Sequence, residues 1–141
     1  MIVLLGLIII GLGLIIGSVQ DIKLYRVDRR ISNAIFLIGM FLAIYTRAWE
    51  QPLEIIAFKV IVISMMYVFW KEDLFGIADL KVMSAIIILF APLPYIIFIS
   101  TSILSGLVLF TIMRKNRIPQ FIPITFGYVI TFIAMSYNTL P

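Results

Sequence analysis

Uncharged, strongly apolar runs alternate along this chain with short clusters of charged residues, and that alternation predicts its elements. Met1 to Val19 carries no charge and is about long enough to cross the roughly 30 Å hydrocarbon core of a bilayer. No basic residue precedes this run and a basic cluster follows it, so it is expected to remain as a first helix rather than to be removed as a signal peptide. Asp21 to Arg30 then gathers Lys23, Arg26, Arg29 and Arg30 against only Asp21 and Asp28, the composition of a cytoplasmic loop. Ile31 to Thr46 makes a second apolar segment, closed by a polar turn from Arg47 to Pro52, and Leu53 to Trp70 makes a third. Glu54 and Lys59 sit near the outer end of that third segment, where the long lysine side chain is expected to reach the interface. Lys71 to Phe75 forms a second charged loop.

From Val82 to Met113 there is again no charge, a length too great for one ordinary spanning helix and tight for two. Pro92 and Pro94 supply the break, because each lacks a backbone donor and disfavours helix in the residue before it. A short fourth helix is therefore expected from about Asp79 to Ala91, and a fifth from about Tyr95 to Met113. Ile118 to Pro141 makes the sixth, with Pro119 and Pro123 at or near its first turn, where proline is tolerated.

Composition fixes the class. Of 141 residues, 63% are hydrophobic and 13% charged, with a mean hydropathy of +1.18, which is more apolar surface than a soluble domain of this size can hide. The expectation is an all-α polytopic membrane protein, a single transmembrane domain over residues 1–141 built as one bundle of six helices. The net charge of +4 does not point to nucleic acid, because the basic residues lie in clusters between apolar segments and mark topology. Six helices with the N-terminus outside put Lys23, Arg26, Arg29, Arg30, Lys71, Lys81, Arg114, Lys115 and Arg117 inside, leaving only Arg47 and Lys59 elsewhere. With neither cysteine nor histidine in the chain, thiol nucleophiles, disulfides, Cys/His zinc sites and imidazole bases are excluded, and no metal or cofactor is expected. Catalysis, if present, rests on carboxylates, hydroxyls, lysine or backbone.

The same topology brings two carboxylates to one level. The first helix runs inward and ends near Asp21, while the fourth starts inside near Asp79. An acidic residue at the mouth of a membrane segment is costly unless it meets protein, water or a partner. Two carboxyls that approach closely titrate as a unit, one keeping a proton. Such a pair activates a water by general base while its protonated member polarises a carbonyl, the aspartic-protease mode. The plainer alternative has Asp21 paired with Lys23 or Lys81 and Asp79 capping a helix N-terminus. Gly76, just before Asp79, would supply permissive backbone. The Gly6, Gly11, Gly13 and Gly17 series of the first helix suits close helix packing.

The stretch Asp21-Ile22-Lys23-Leu24-Tyr25-Arg26-Val27-Asp28, followed by Ile31-Ser32-Asn33 and then by Gly76-Ile77-Ala78-Asp79-Leu80-Lys81 at the start of a membrane segment, resembles the type IV prepilin peptidase family of GxGD-type aspartic peptidases. It is closest to the short archaeal prepilin and preflagellin (archaellin) branch. The resemblance runs from Asp21 to about Lys81, with a weaker likeness in Ile118-Pro119 to Pro123. It implies six helices, Asp21 and Asp79 as the catalytic pair at the cytoplasmic side, and Gly76 as the first glycine of the motif. Ala78 stands where the motif has its second glycine. The implied substrates are pilin-like or archaellin precursors, cut between a short basic leader and their apolar helix. The cysteine-bearing cytoplasmic domain of the long bacterial enzymes has no counterpart here, so neither zinc nor amino-terminal methylation is implied.

Other polar residues carry smaller expectations. Asp28, Glu72 and Asp73 would hold a basic leader by charge complementarity, or simply balance neighbouring Arg and Lys. Asn33 and Lys81 would orient the carboxylate pair, or serve as cap and interfacial residues. Arg114, Lys115 and Arg117 suit anionic lipid headgroups, and Tyr67, Trp70 and Tyr128 suit interfacial or packing positions. Two readings of other classes compete: a small proton- or cation-coupled transporter, and a non-catalytic subunit of a pilus assembly machine. The transporter is disfavoured because the acids cluster at one surface and no repeated half is evident.

Overall fold

The computed structural model describes residues 1–24, 27–71, 76–90, 92–113, 119 and 121–138. Six helices follow one another, α1 (Ile2–Leu24), α2 (Arg29–Tyr45), α3 (Leu53–Lys71), α4 (Ile77–Leu89), α5 (Pro92–Met113) and α6 (Phe121–Asn138), and there is no strand among the described residues. The expected order is recovered, with shifted ends. α1 runs past the apolar segment to Leu24, so Asp21 lies within its last turn rather than in a loop. Pro92, expected in a turn, opens α5, where its missing N–H costs nothing because first-turn donors have no intrahelical partner.

α1 and α2 pack antiparallel. Ile35 and Leu42 of α2 lie against Gly13 and Gly6 of α1, and α6 returns along the other side of α1. There Tyr128 Oη donates to the Leu7 carbonyl at 2.8 Å, Thr125 Oγ1 donates to the Leu14 carbonyl at 3.1 Å, and the Ser18 and Thr125 hydroxyls share a 2.7 Å hydrogen bond. α2 and α4 run parallel, joined near their starts by Lys81 Nζ donating to Asn33 Oδ1 at 2.8 Å. Farther along, a Cβ on Gly39 would come within 2.9 Å of the Ala85 Cβ. In apolar surroundings helices associate through such close packing and interhelical hydrogen bonds, which is why small residues occupy these crossings.

α4 is the innermost helix. Val82, Ala85, Ile86 and Ile87 are fully buried, whereas every other helix carries several exposed large apolar residues, such as Leu12, Phe41, Ile61, Leu104 and Phe126. α1 has the length and composition to cross a membrane. With 13 residues α4 is only about 20 Å long, and its C-cap residue Phe90 is buried, so its last carbonyls need donors from the protein.

Lys59 of α3 satisfies them. The expectation that its side chain reaches the interface is corrected: Lys59 is 5% exposed, and its Nζ donates to the carbonyls of Ile88 and Phe90 and to Gln51 Oε1. The reason is electrostatic. A cation at a helix C-terminus answers both the unpaired carbonyls and the negative end of the helix dipole. Beside it the Phe90 ring stacks on Tyr128 at 5.8 Å and meets Phe98 edge-on at 5.9 Å, tying the end of α4 to α5 and α6.

Candidate active site

At the opposite end of α4 the two aspartates come together. Asp21 and Asp79 are each 8% exposed, one in the last turn of α1 and the other in the first turn of α4, close enough for their charges to interact. Each carboxylate is oriented by one backbone amide at a helix N-terminus. Asp79, in the first turn of α4, accepts from the Gly76 amide at 3.1 Å. Asp21 accepts from the Phe121 amide, the first residue of α6, at 3.0 Å. Both bonds satisfy donors that a helix leaves unpaired at its start, and both put negative charge at the positive end of a dipole. Asp79 thus does what the capping alternative expects of it, accepting a backbone amide in the first turn of α4.

Gly76 acts by size rather than by conformation. Its φ of −73° and ψ of 150° suit any residue, so permissive backbone is not what it contributes. A Cβ there would lie 2.7 Å from Asp79 Oδ2, and the bare backbone lets the carboxylate fold back onto its amide. Ala78 lies between the two, partly buried against the apolar core.

The remaining expected residues divide. Lys81 and Asn33 bond to each other at the rim of the site, so Lys81 is engaged by α2 rather than by Asp21. Asp28 caps α2, accepting from the Arg30 amide at 2.8 Å. It also lines a cleft of about 500 Å³ together with Gln20, Leu24, Val27 and Arg29. Glu72 and Asp73 lie outside the described residues, as do Arg26, Arg114, Lys115 and Arg117. Gln20 and Phe121 were not singled out from the sequence. Gln20 Oε1 accepts from the Asp28 amide at 3.0 Å, pinning the start of α2 to the last turn of α1 beside Asp21. A polar residue closing an apolar run next to an aspartate is a signal for Gln20. The amide of Phe121 carries no side-chain signal at all.

Residues 8–112 match the type IV leader peptidase family. The chain belongs to this family. The stretch matched reaches from the first helix to the fifth and includes both aspartates, Gly76 and the cleft around Asp28. No curated protein and no solved structure matches the chain. As a leader peptidase of prepilin type it is a hydrolase of peptide bonds and a membrane protein, and its substrates are pilin-like precursors in general. An enzyme that removes leaders must bring water to a peptide bond at the edge of an apolar helix.

Proposed function

We propose that this chain is an aspartic endopeptidase in which Asp21 and Asp79 jointly activate water to cut the basic leader from a pilin-like or archaellin precursor. The observation that carries the reading is the convergence of two buried carboxyls, one on α1 and one on α4, within electrostatic reach of each other. Neighbouring carboxyls share a proton more readily than both ionise. The ionised member takes a proton from water as it attacks the scissile carbonyl. The protonated member donates to the carbonyl oxygen, where negative charge develops. The proton taken from water then passes to the leaving amine as the C–N bond breaks, and the diol hydroxyl gives its proton back to the other carboxylate as the new carboxyl forms, so the pair returns to its starting state. No metal and no covalent intermediate enters this cycle.

Membrane placement follows from the charge pattern. A six-helix bundle with the N-terminus outside leaves the Asp21 and Asp79 ends of their helices at the cytoplasmic face, and residues 1–141 act as one transmembrane domain. The precursor inserts its apolar helix beside the bundle, and its leader lies along that face, near the cleft that holds Asp28. Charge complementarity with Asp28, and with Glu72 and Asp73, holds the basic leader there. The peptide around the cut must be extended locally, because in a helix its carbonyl and amide are already paired.

Incubation of the purified protein in detergent with precursors bearing pilin-type and archaellin-type leaders tests the proposal. Release of a leader of defined mass supports it. Intact precursors, together with proton-coupled flux in liposomes, would instead favour a transporter.

A further inference from the structure

We propose that Gly17 is a positioning residue for this reaction: it seats the ring of Phe121 on α1 so that the Phe121 backbone amide is held against Asp21. The inference rests on the assignment of Asp21 to the catalytic pair.

Gly17 lies one helical turn before Asp21, and both are buried on the same face of α1. A Cβ on Gly17 would come 2.5 Å from both Cδ1 and Cε1 of Phe121, and 3.5 Å from Val27 Cγ1. Contact between carbon atoms is favourable only at about 3.5–4.0 Å, so a single methyl would displace the ring by about an ångström. The ring has little freedom to turn aside, because Phe121 is fully buried.

Ring and amide belong to one residue. Phe121 is the first residue of α6, and its own N–H is the donor to Asp21 Oδ2. Displacing the ring therefore displaces the donor. Two residues on, Pro123 has no N–H to offer in its place. Farther along, the contacts of Thr125 with Ser18 and Leu14 and of Tyr128 with Leu7 keep α1 and α6 in register. None of these involves Gly17, so the disturbance stays at the carboxylate end.

The test compares kcat and KM on a pilin-like precursor, each normalised to folded protein by thermal melting in detergent. Gly17→Ala is expected to lower kcat about a hundredfold, the scale of an ångström misplacement in an active site, with KM unchanged. Adding Phe121→Leu, which shortens the ring side chain and keeps the amide, should recover most of that loss. A purely structural role for Gly17 predicts fewer folded molecules at unchanged kcat, and that result would overturn the proposal, as would a double variant as slow as Gly17→Ala. Should Gly17→Ala fail to fold, Phe121→Leu against Phe121→Pro decides the matter. Proline is accepted at the first helical position; both variants lose the ring and proline alone also loses the donor, so equal rates for the two would reject a role for the amide. Asp21→Asn separates the two levels of inference: inactive Asp21→Asn beside fully active Gly17→Ala rejects the positioning role alone, whereas active Asp21→Asn rejects the assignment of Asp21.

Discussion

Asp21 on α1 and the Phe121 amide at the start of α6, 100 positions apart in the chain, are joined by a buried 3.0 Å hydrogen bond. One carboxylate thus serves two purposes. Its charge is felt at Asp79 and it caps a helix to which it does not belong. Chemistry and architecture meet at this side chain, and substitutions can separate them.

Asp21→Asn keeps a side-chain carbonyl to accept from the amide, while Asp21→Ala leaves that donor buried and unpaired. The alanine variant should be less stable than the asparagine variant by about 1–3 kcal/mol, read as a lower melting temperature in detergent. Neither variant should cleave.

Lys59 closes the other end of α4. Lys59→Met would strand the carbonyls of Ile88 and Phe90 away from water, at about 1–3 kcal/mol for an unsatisfied buried group. Lys59→Arg keeps a charged donor and should recover part of that loss. Thermal melts of the two variants provide the check, with methionine expected to be the weaker protein despite its greater hydrophobicity.

Gly39 meets Ala85 where α2 crosses α4. Gly39→Val would force these helices apart, at about 1–3 kcal/mol for overpacking a tight contact. Because α4 carries Asp79, the surviving folded protein should also cleave more slowly, which single-turnover kinetics at saturating precursor would reveal.

Much of this was legible in the charge pattern. Basic clusters and paired prolines located all six helices, and topology alone brought Asp21 and Asp79 to one end. Interactions between distant elements were hidden. Hydropathy registers Lys59 as a cation that should seek water, because the need of α4 for a C-terminal donor exists only once that helix is seen to be short and enclosed. Gly17 looked like one more small packing residue, since the ring that fills its space arrives from α6. The donor to Asp21 is main chain, to which composition is blind.

Asp28 offers a clean test of how the leader is held. Asparagine caps a helix about as well as aspartate, so Asp28→Asn should keep α2 intact while removing one negative charge from the cleft. For a precursor with a basic leader, KM should rise about two- to fivefold, the worth of a partly exposed ion pair, with kcat unchanged. The difference should shrink as salt is raised.

The most direct measurement is leader release from a pilin-like precursor by wild type, Asp21→Asn and Asp79→Asn, followed by mass spectrometry alongside melting curves. The expected result is a released leader for the wild type and none for either variant, with all three proteins folded. Leader release by Asp79→Asn or Asp21→Asn at a rate near that of the wild type would show that the two carboxyls do not carry the reaction together.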